Sequence, residues 1–224
     1  MSDRLGLPTE ILEDRLIAVI RGTDVSRLTQ VVKALMDGGV RCIEITMTVP
    51  DAITVLRGVS TMFGDHACVG AGTVLTGDQA RASVDAGARF VLAPSLVPEV
   101  VAAVGGVVPV VPGALTPTEV VAAWESGAAA VKLFPASLGG TRYLREIRAP
   151  LPDVPFVPTG GIEISDVPAY LDAGAVAVGL GGALIADAFR GGSLDAVRER
   201  ARAAIDAARG GRRASTSRAS AAHG

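Results

Sequence analysis

A glycine that recurs at a near-constant interval, apolar runs placed between its repeats, and helix-start signals after those runs predict an α/β fold. The form expected is a single (β/α)8 TIM barrel with a short N-terminal helix and a disordered C-terminal tail. The repeat reads Asp37-Gly38-Gly39-Val40, Asp85-Ala86-Gly87-Ala88, Glu125-Ser126-Gly127-Ala128 and Asp172-Ala173-Gly174-Ala175. Glycine just past a helical pattern is the residue expected where the chain turns left-handed, and a strand-like run follows each one. Gly39, Gly87, Gly127 and Gly174 lie 48, 40 and 47 residues apart, about twice the length of one strand-plus-helix unit, so another unit is expected in every interval.

The elements follow in order. The opening Met1-Ser2-Asp3-Arg4 leads into a helical pattern, and Leu16 to Gly22 is the first apolar β-rich run. Leu28, Val31, Val32, Leu35 and Met36 form the stripe of the next helix, with Lys33 on its polar face. Cys42 to Ile45 is the second strand and Ala67 to Val74 the third; Thr76-Gly77-Asp78-Gln79 is then a capping box. Phe90 to Ala93 and Val107 to Gly113 are the fourth and fifth, and Thr116-Pro117-Thr118-Glu119 joins an N-cap, a first-turn proline and a capping-box glutamate. Ala130 to Leu133, Val154 to Gly161 and Val176 to Gly179 complete eight. An open doubly wound sheet competes, but Gly70-Ala71-Gly72 lacks the third glycine of its fingerprint and an acid at the expected distance. Residues 1–208 are read as the barrel; 209–224, rich in Arg, Ser, Ala and Gly without apolar periodicity, are read as a basic disordered tail.

With 224 residues of which 49% are hydrophobic, the chain has material for a substantial core. A formal charge of -2 argues against a nucleic-acid surface, and no run approaches the roughly 18 apolar residues of a membrane span. No secretory segment is evident, so the cytoplasm is the expected location. Cys42 and Cys68 sit in apolar runs without a metal-binding spacing, and His66 and His223 form no cluster, so no metal is expected.

Lysine is scarce: nineteen arginines accompany only Lys33 and Lys132. Lys132 lies in the apolar run Ala129-Ala130-Val131-Lys132-Leu133-Phe134-Pro135, where burial disfavours an ammonium. An amine is what arginine cannot supply, since a guanidinium stays protonated, so a Schiff-base lysine is the first hypothesis and a structural ion pair the competing one. Residues five positions beyond the repeat glycines are Glu44, Leu92, Lys132 and Gly179, all on even-numbered strands. Alternate strands of a barrel fill its interior in layers of four, so these four are expected in one layer: Lys132 facing Glu44, Leu92 as floor and Gly179 leaving space. Imine chemistry needs both a nucleophilic amine and a group that gives and accepts protons, which suits this pair.

Barrel sites gather at the C-terminal strand ends. There stand Arg21 after strand 1, Thr73 after strand 3, Thr159-Gly160-Gly161 after strand 7 and Gly181-Gly182 after strand 8. The glycines are expected to expose backbone N–H groups to a phosphate, leaving Arg21 and Thr73 for a second anionic group.

Ile43-Glu44-Ile45-Thr46, Gly70-Ala71-Gly72-Thr73-Val74, Ala93-Pro94-Ser95, Pro112-Gly113, Val131-Lys132-Leu133-Phe134-Pro135 and Phe156-Val157-Pro158-Thr159-Gly160-Gly161 occur in this order. Over about residues 8–208 the chain closely resembles the class I 2-keto-3-deoxy-6-phosphogluconate (KDPG) and 2-keto-4-hydroxyglutarate (KHG) aldolases. The resemblance implies Lys132 as Schiff-base former, Glu44 as general acid/base, and Thr73 with a nearby arginine on the pyruvyl carboxylate. It implies Pro94 and Phe134 shaping the pocket, Gly160, Gly161 and Gly181 around the phosphate, no cofactor, and a homotrimer. Two positions depart from the commoner pattern. Thr48 stands where many members carry the carboxylate-binding arginine, with Arg21 as its expected replacement, and Gly182 stands where a serine is frequent. The expected reaction is cleavage of 2-dehydro-3-deoxy-6-phosphogluconate, a phosphorylated 2-keto-3-deoxy sugar acid, to pyruvate and glyceraldehyde 3-phosphate. The same chemistry on the 6-phosphogalactonate epimer or on 4-hydroxy-2-oxoglutarate, and a non-catalytic phosphometabolite-binding barrel, are the alternatives.

Overall fold

The computed structural model describes residues 4–221 except Thr23 and Asp65. Its strands are β1 (Leu16–Ile20), β2 (Cys42–Thr46), β3 (Cys68–Gly72), β4 (Val91–Leu92), β5 (Val110–Val111), β6 (Gly113–Ala114), β7 (Lys132–Leu133) and β8 (Val178–Leu180). The helices are α1 (Thr9–Asp14), α2 (Leu28–Asp37), α3 (Ala52–Phe63), α4 (Gly77–Asp85), α5 (Pro98–Val104), α6 (Pro117–Glu125), α7 (Gly140–Arg148), α8 (Val167–Asp172), α9 (Gly182–Ile185) and α10 (Leu194–Ala221). Strands β5-β4-β3-β2-β1-β8 form one parallel sheet and β6-β7 a second, in a TIM-like α/β fold.

The repeat has a common conformation. Gly39, Gly87, Gly127 and Gly174 have φ of 98, 98, 99 and 98°, so each helix-to-strand reversal uses the same left-handed backbone, which lacks the Cβ penalty only for glycine.

Prolines interrupt the regular ladder. Pro112 separates β5 from β6, and the expected seventh strand is no named strand at all: only bridges Val131↔Phe156 and Thr159↔Gly179 mark its place. Pro155 and Pro158 have no N–H to donate, although their carbonyls still accept from Val131 N (2.8 Å) and Gly179 N (2.9 Å). Val107, expected in the fifth strand, instead lies in an exposed turn after α5.

Strand side chains alternate between two cores, as parallel strands covered on both faces require. Ile17, Cys42, Cys68, Phe90, Leu92, Val111, Ala130, Val157 and Ala177 cluster on one side, joined there by Ile11 of α1. Leu16, Ala18, Ile20, Ile43, Ile45, Val69 and Ala71 pack on the other side with the helices. Asp14, at the end of α1, is buried and pairs with Arg41 at 2.7 Å, tying the N-terminal helix to the start of β2. Lys33 is exposed and pairs with Asp37 across one turn of α2.

The expected capping box of α6 is present. Thr116 Oγ1 accepts from Glu119 N, while Glu119 Oε2 accepts from Thr116 N and Leu115 N, both at 2.8 Å. Those backbone bonds, with the Thr116 hydroxyl, hold the Glu119 carboxyl below its ordinary range. A depressed carboxyl contributes stability above its unfolded-state pKa and loses that contribution as pH falls through its folded value. Thr116→Ala is expected to lower unfolding stability by about 1 kcal/mol in urea titration at neutral pH.

The last helix begins on the core and runs into the tail. Backbone 209–221 continues α10, and residues 222–224 lie outside those described. Val197, Ala201, Ala204, Ile205 and Ala208 anchor α10 in the core, which nucleates the helix over that part of its length.

Candidate active site

Alternation along β2 sends Cys42, Glu44 and Thr46 to the side away from Ile43 and Ile45. On β7 the same alternation opposes Lys132 to Val131 and Leu133. Lys132 Nζ thus comes within 4.0 Å of Glu44 Oε1, with the two side chains 5% and 1% exposed. This distance leaves an ion pair without a hydrogen bond, and both Glu44 oxygens are buried without a protein hydrogen-bond partner. Such orphaned carboxylate oxygens are costly in a finished fold, which argues against a purely structural bridge. Lys132 Nζ also lies 5.2 Å from the Phe134 ring centroid, in cation–π range.

Small residues make room for the pair. A Cβ at Gly72 would overlap the Glu44 carboxylate, and one at Gly113 would overlap the Pro94 carbonyl. The space expected beside Gly179 is not empty: the Thr159 side chain occupies it, because the Thr159↔Gly179 bridge sets the two residues side by side.

A cavity of about 700 Å³ opens above this layer. Arg21, Lys132, Phe134, Thr159, Gly160, Gly161, Gly181 and Gly182 line it, so most of the sequence-derived candidates converge. Glu44 is buried and does not line the cavity. Thr73 and Pro94 are half-buried beyond the β3 and β4 ends and do not line the cavity. Thr73 has φ 58°, a left-handed conformation unusual for a β-branched residue.

Several lining residues escaped sequence reasoning, chiefly Arg190, Phe189 and Glu163. The available signal for Arg190 was its place as the sole cation between β8 and α10, ahead of Gly191-Gly192. Thr48 also lines the cavity, and its proton has a definite direction. Buried Thr46 donates its one hydroxyl proton to Ile20 O (3.1 Å), so in the 2.8 Å contact between hydroxyls Thr48 is the donor. Thr48 therefore turns only lone pairs to the cavity and cannot donate to a carboxylate. Arg21 is left as the cation at the end of β1.

The family model describing KDPG and KHG aldolase matches residues 8–199. The 2-dehydro-3-deoxy-phosphogluconate aldolase of Treponema pallidum is 39% identical over 70% of this chain and 75% of its own length. The 2-dehydro-3-deoxy-6-phosphogalactonate aldolase of Escherichia coli is 34% identical over 87% of this chain and 94% of its own. The solved structure of KDPG aldolase from Legionella pneumophila, with pyruvate captured as a covalent carbinolamine intermediate, superposes with a TM-score of 0.80 at 30% identity, over 87% of this chain and 96% of that one.

Proposed function

Because the chain belongs to the KDPG and KHG aldolase family, we propose that it is a Schiff-base-forming aldolase cleaving 2-dehydro-3-deoxy-6-phosphogluconate to pyruvate and glyceraldehyde 3-phosphate. The observation that carries this reading is the buried lysine 4.0 Å from a glutamate whose oxygens have no other partner, at the foot of a cavity. Lys132 Nζ attacks the C2 ketone to give a carbinolamine, which loses water to become the iminium. Glu44, directly or through one water, takes the C4 hydroxyl proton as the bond from C3 to C4 breaks. The electron pair passes into the iminium, glyceraldehyde 3-phosphate leaves, and the enamine is protonated at C3 and hydrolysed to pyruvate. Arg21 holds the pyruvyl carboxylate, Phe134 shapes the pocket, and Thr159 to Gly161 with Gly181 and Gly182 receive the phosphate, while Thr73 and Pro94, expected to share the first two roles, stand off the cavity wall.

The epimeric 6-phosphogalactonate is the second reading. It is favoured by the Escherichia coli relative of that name, which matches a larger share of this chain than the Treponema pallidum one, 87% against 70%. The proposed fold is a closed eight-stranded barrel over residues 1–208, supported by continuity of β5 with β6 through Pro112 and by the two bridges at Phe156 and Thr159. A cytoplasmic homotrimer is the proposed assembly, measurable by light scattering; among the described residues no helix is long and apolar enough to cross a membrane.

Borohydride reduction in the presence of pyruvate is expected to fix a three-carbon adduct on Lys132, located by peptide mass mapping. Unmodified Lys132 would sink the aldolase reading in favour of a binding barrel. Steady-state kinetics on the three aldols then assign the substrate, with the highest kcat/KM expected for the phosphogluconate; a higher value for its epimer transfers the assignment.

A further inference from the structure

The cavity carries a cation that no motif anticipated. Arg190 is exposed and lines the same space as Gly160, Gly161, Gly181 and Gly182. It ends a single 3-10 turn, Ala188–Arg190, within the stretch joining α9 to α10. Two other arginines fix that stretch from opposite sides. Arg27, just before α2, donates to Ala188 O (2.7 Å) and Gly192 O (3.0 Å), while Arg200 of α10 donates to Leu184 O (2.8 Å) and Ile185 O (3.4 Å). Asp187 O accepts from both Arg190 N (2.7 Å) and Gly192 N (3.0 Å), closing the turn. Phe189 packs on Gly22, where a Cβ would come within 2.6 Å of its ring, so the turn is held beside the end of β1.

Within this fixed turn, no hydrogen bond or ion pair engages the Arg190 side chain among the described residues. Among those residues the one carboxylate on the cavity wall belongs to Glu163, whose backbone N–H donates to Asp166 Oδ2 (3.1 Å) and whose backbone carbonyl accepts from Asp166 N (3.0 Å), fixing the turn at Ile164–Asp166. The charged lining groups are thus Arg21, Lys132 and Arg190 against Glu163. Gly182, which has no hydroxyl to give an anion, adjoins this turn through α9.

We propose that Arg190 is a specificity-determining residue that reads the terminal phosphate monoester of the substrate. Its guanidinium donates to non-bridging phosphate oxygens, in the planar forked geometry suited to them. A side-chain cation, not a hydroxyl on the loop after β8, then sets the preference for a phosphorylated over an unphosphorylated aldehyde. The identity of the ester rests on the aldolase reading; affinity for phosphate does not.

The test titrates inorganic phosphate into the full chain by calorimetry and compares Arg190→Gln and Arg190→Lys. Arg190→Gln is expected to weaken phosphate binding by about tenfold or more, with Arg190→Lys between it and the unaltered chain. In pyruvate condensation, the ratio of kcat/KM for glyceraldehyde 3-phosphate to that for glyceraldehyde is expected to fall by a similar factor in Arg190→Gln. Phosphate affinity within twofold of the unaltered chain, an unchanged ratio, or no phosphate binding by the unaltered chain overturns the proposal. If phosphate binding depends on Arg190 while Lys132 takes no pyruvate adduct, the aldolase reading fails and the phosphate site stands. An adduct on Lys132 with phosphate affinity indifferent to Arg190 overturns this inference alone.

Discussion

In Lys132→Arg, borohydride and pyruvate leave no adduct, and aldol cleavage falls by about 10⁴-fold or more, the scale seen when a covalent nucleophile is removed. The substitution keeps a positive charge facing Glu44 but supplies no amine that can be neutral near pH 7. Lys132 is almost fully buried, so the wider guanidinium strains its surroundings. Lys132→Met, closer in length and uncharged, separates that strain from chemistry: it is expected to be equally inactive with the fold retained by circular dichroism. Residual trapping in either variant would move the nucleophile elsewhere.

Glu44→Gln keeps the shape of the side chain and removes its proton affinity, so kcat is expected to fall by about 10² to 10⁴-fold, the range assigned to a positioned acid/base. The pyruvate adduct still accumulates on Lys132 over long incubation, because the amine is intact. A structural ion pair predicts a different pattern, and Glu44→Leu combined with Lys132→Met distinguishes the two. Replacing a buried pair by apolar groups of similar volume is commonly neutral or stabilising by about 1–4 kcal/mol, especially where the pair is imperfectly hydrogen-bonded. With a 4.0 Å separation and both Glu44 oxygens unpartnered, the double variant is expected to melt no lower than the unaltered chain while being inactive. A loss of several kcal/mol in the double variant would make the pair a stability element.

Much of this arrangement is legible in the sequence because it follows from local rules. A left-handed reversal needs glycine, so four glycines mark four equivalent corners, and equal offsets from them put Glu44, Leu92, Lys132 and Gly179 on the interior. What local rules leave out is contact between distant segments. The seventh strand reads as a regular run, yet Pro155 and Pro158 reduce its ladder to two bridges. Gly179 reads as open space until the bridge to Thr159 brings a neighbouring side chain into it. Arg190 reaches the cavity from a turn whose carbonyls are held by Arg27, more than 160 residues away in sequence, and by the nearer Arg200. The apolar register of Val197, Ala201, Ala204, Ile205 and Ala208 on the core anchors α10, a contact that the composition of the tail does not announce.

The missing side chain at Gly72 has a consequence for how such a pocket can be varied. A methyl group there would take the volume of the Glu44 carboxylate, so a change at 72 is also a change in where the side chain of residue 44 can sit. In a mutational library they form one compound site: alanine at 72 displaces the Glu44 carboxylate from its place, and only the shorter carboxylate of aspartate at 44 would ease that overlap while keeping a proton carrier. Searches for altered substrate scope belong instead at Thr48 and Arg190, which sit on the cavity wall, away from that crowding.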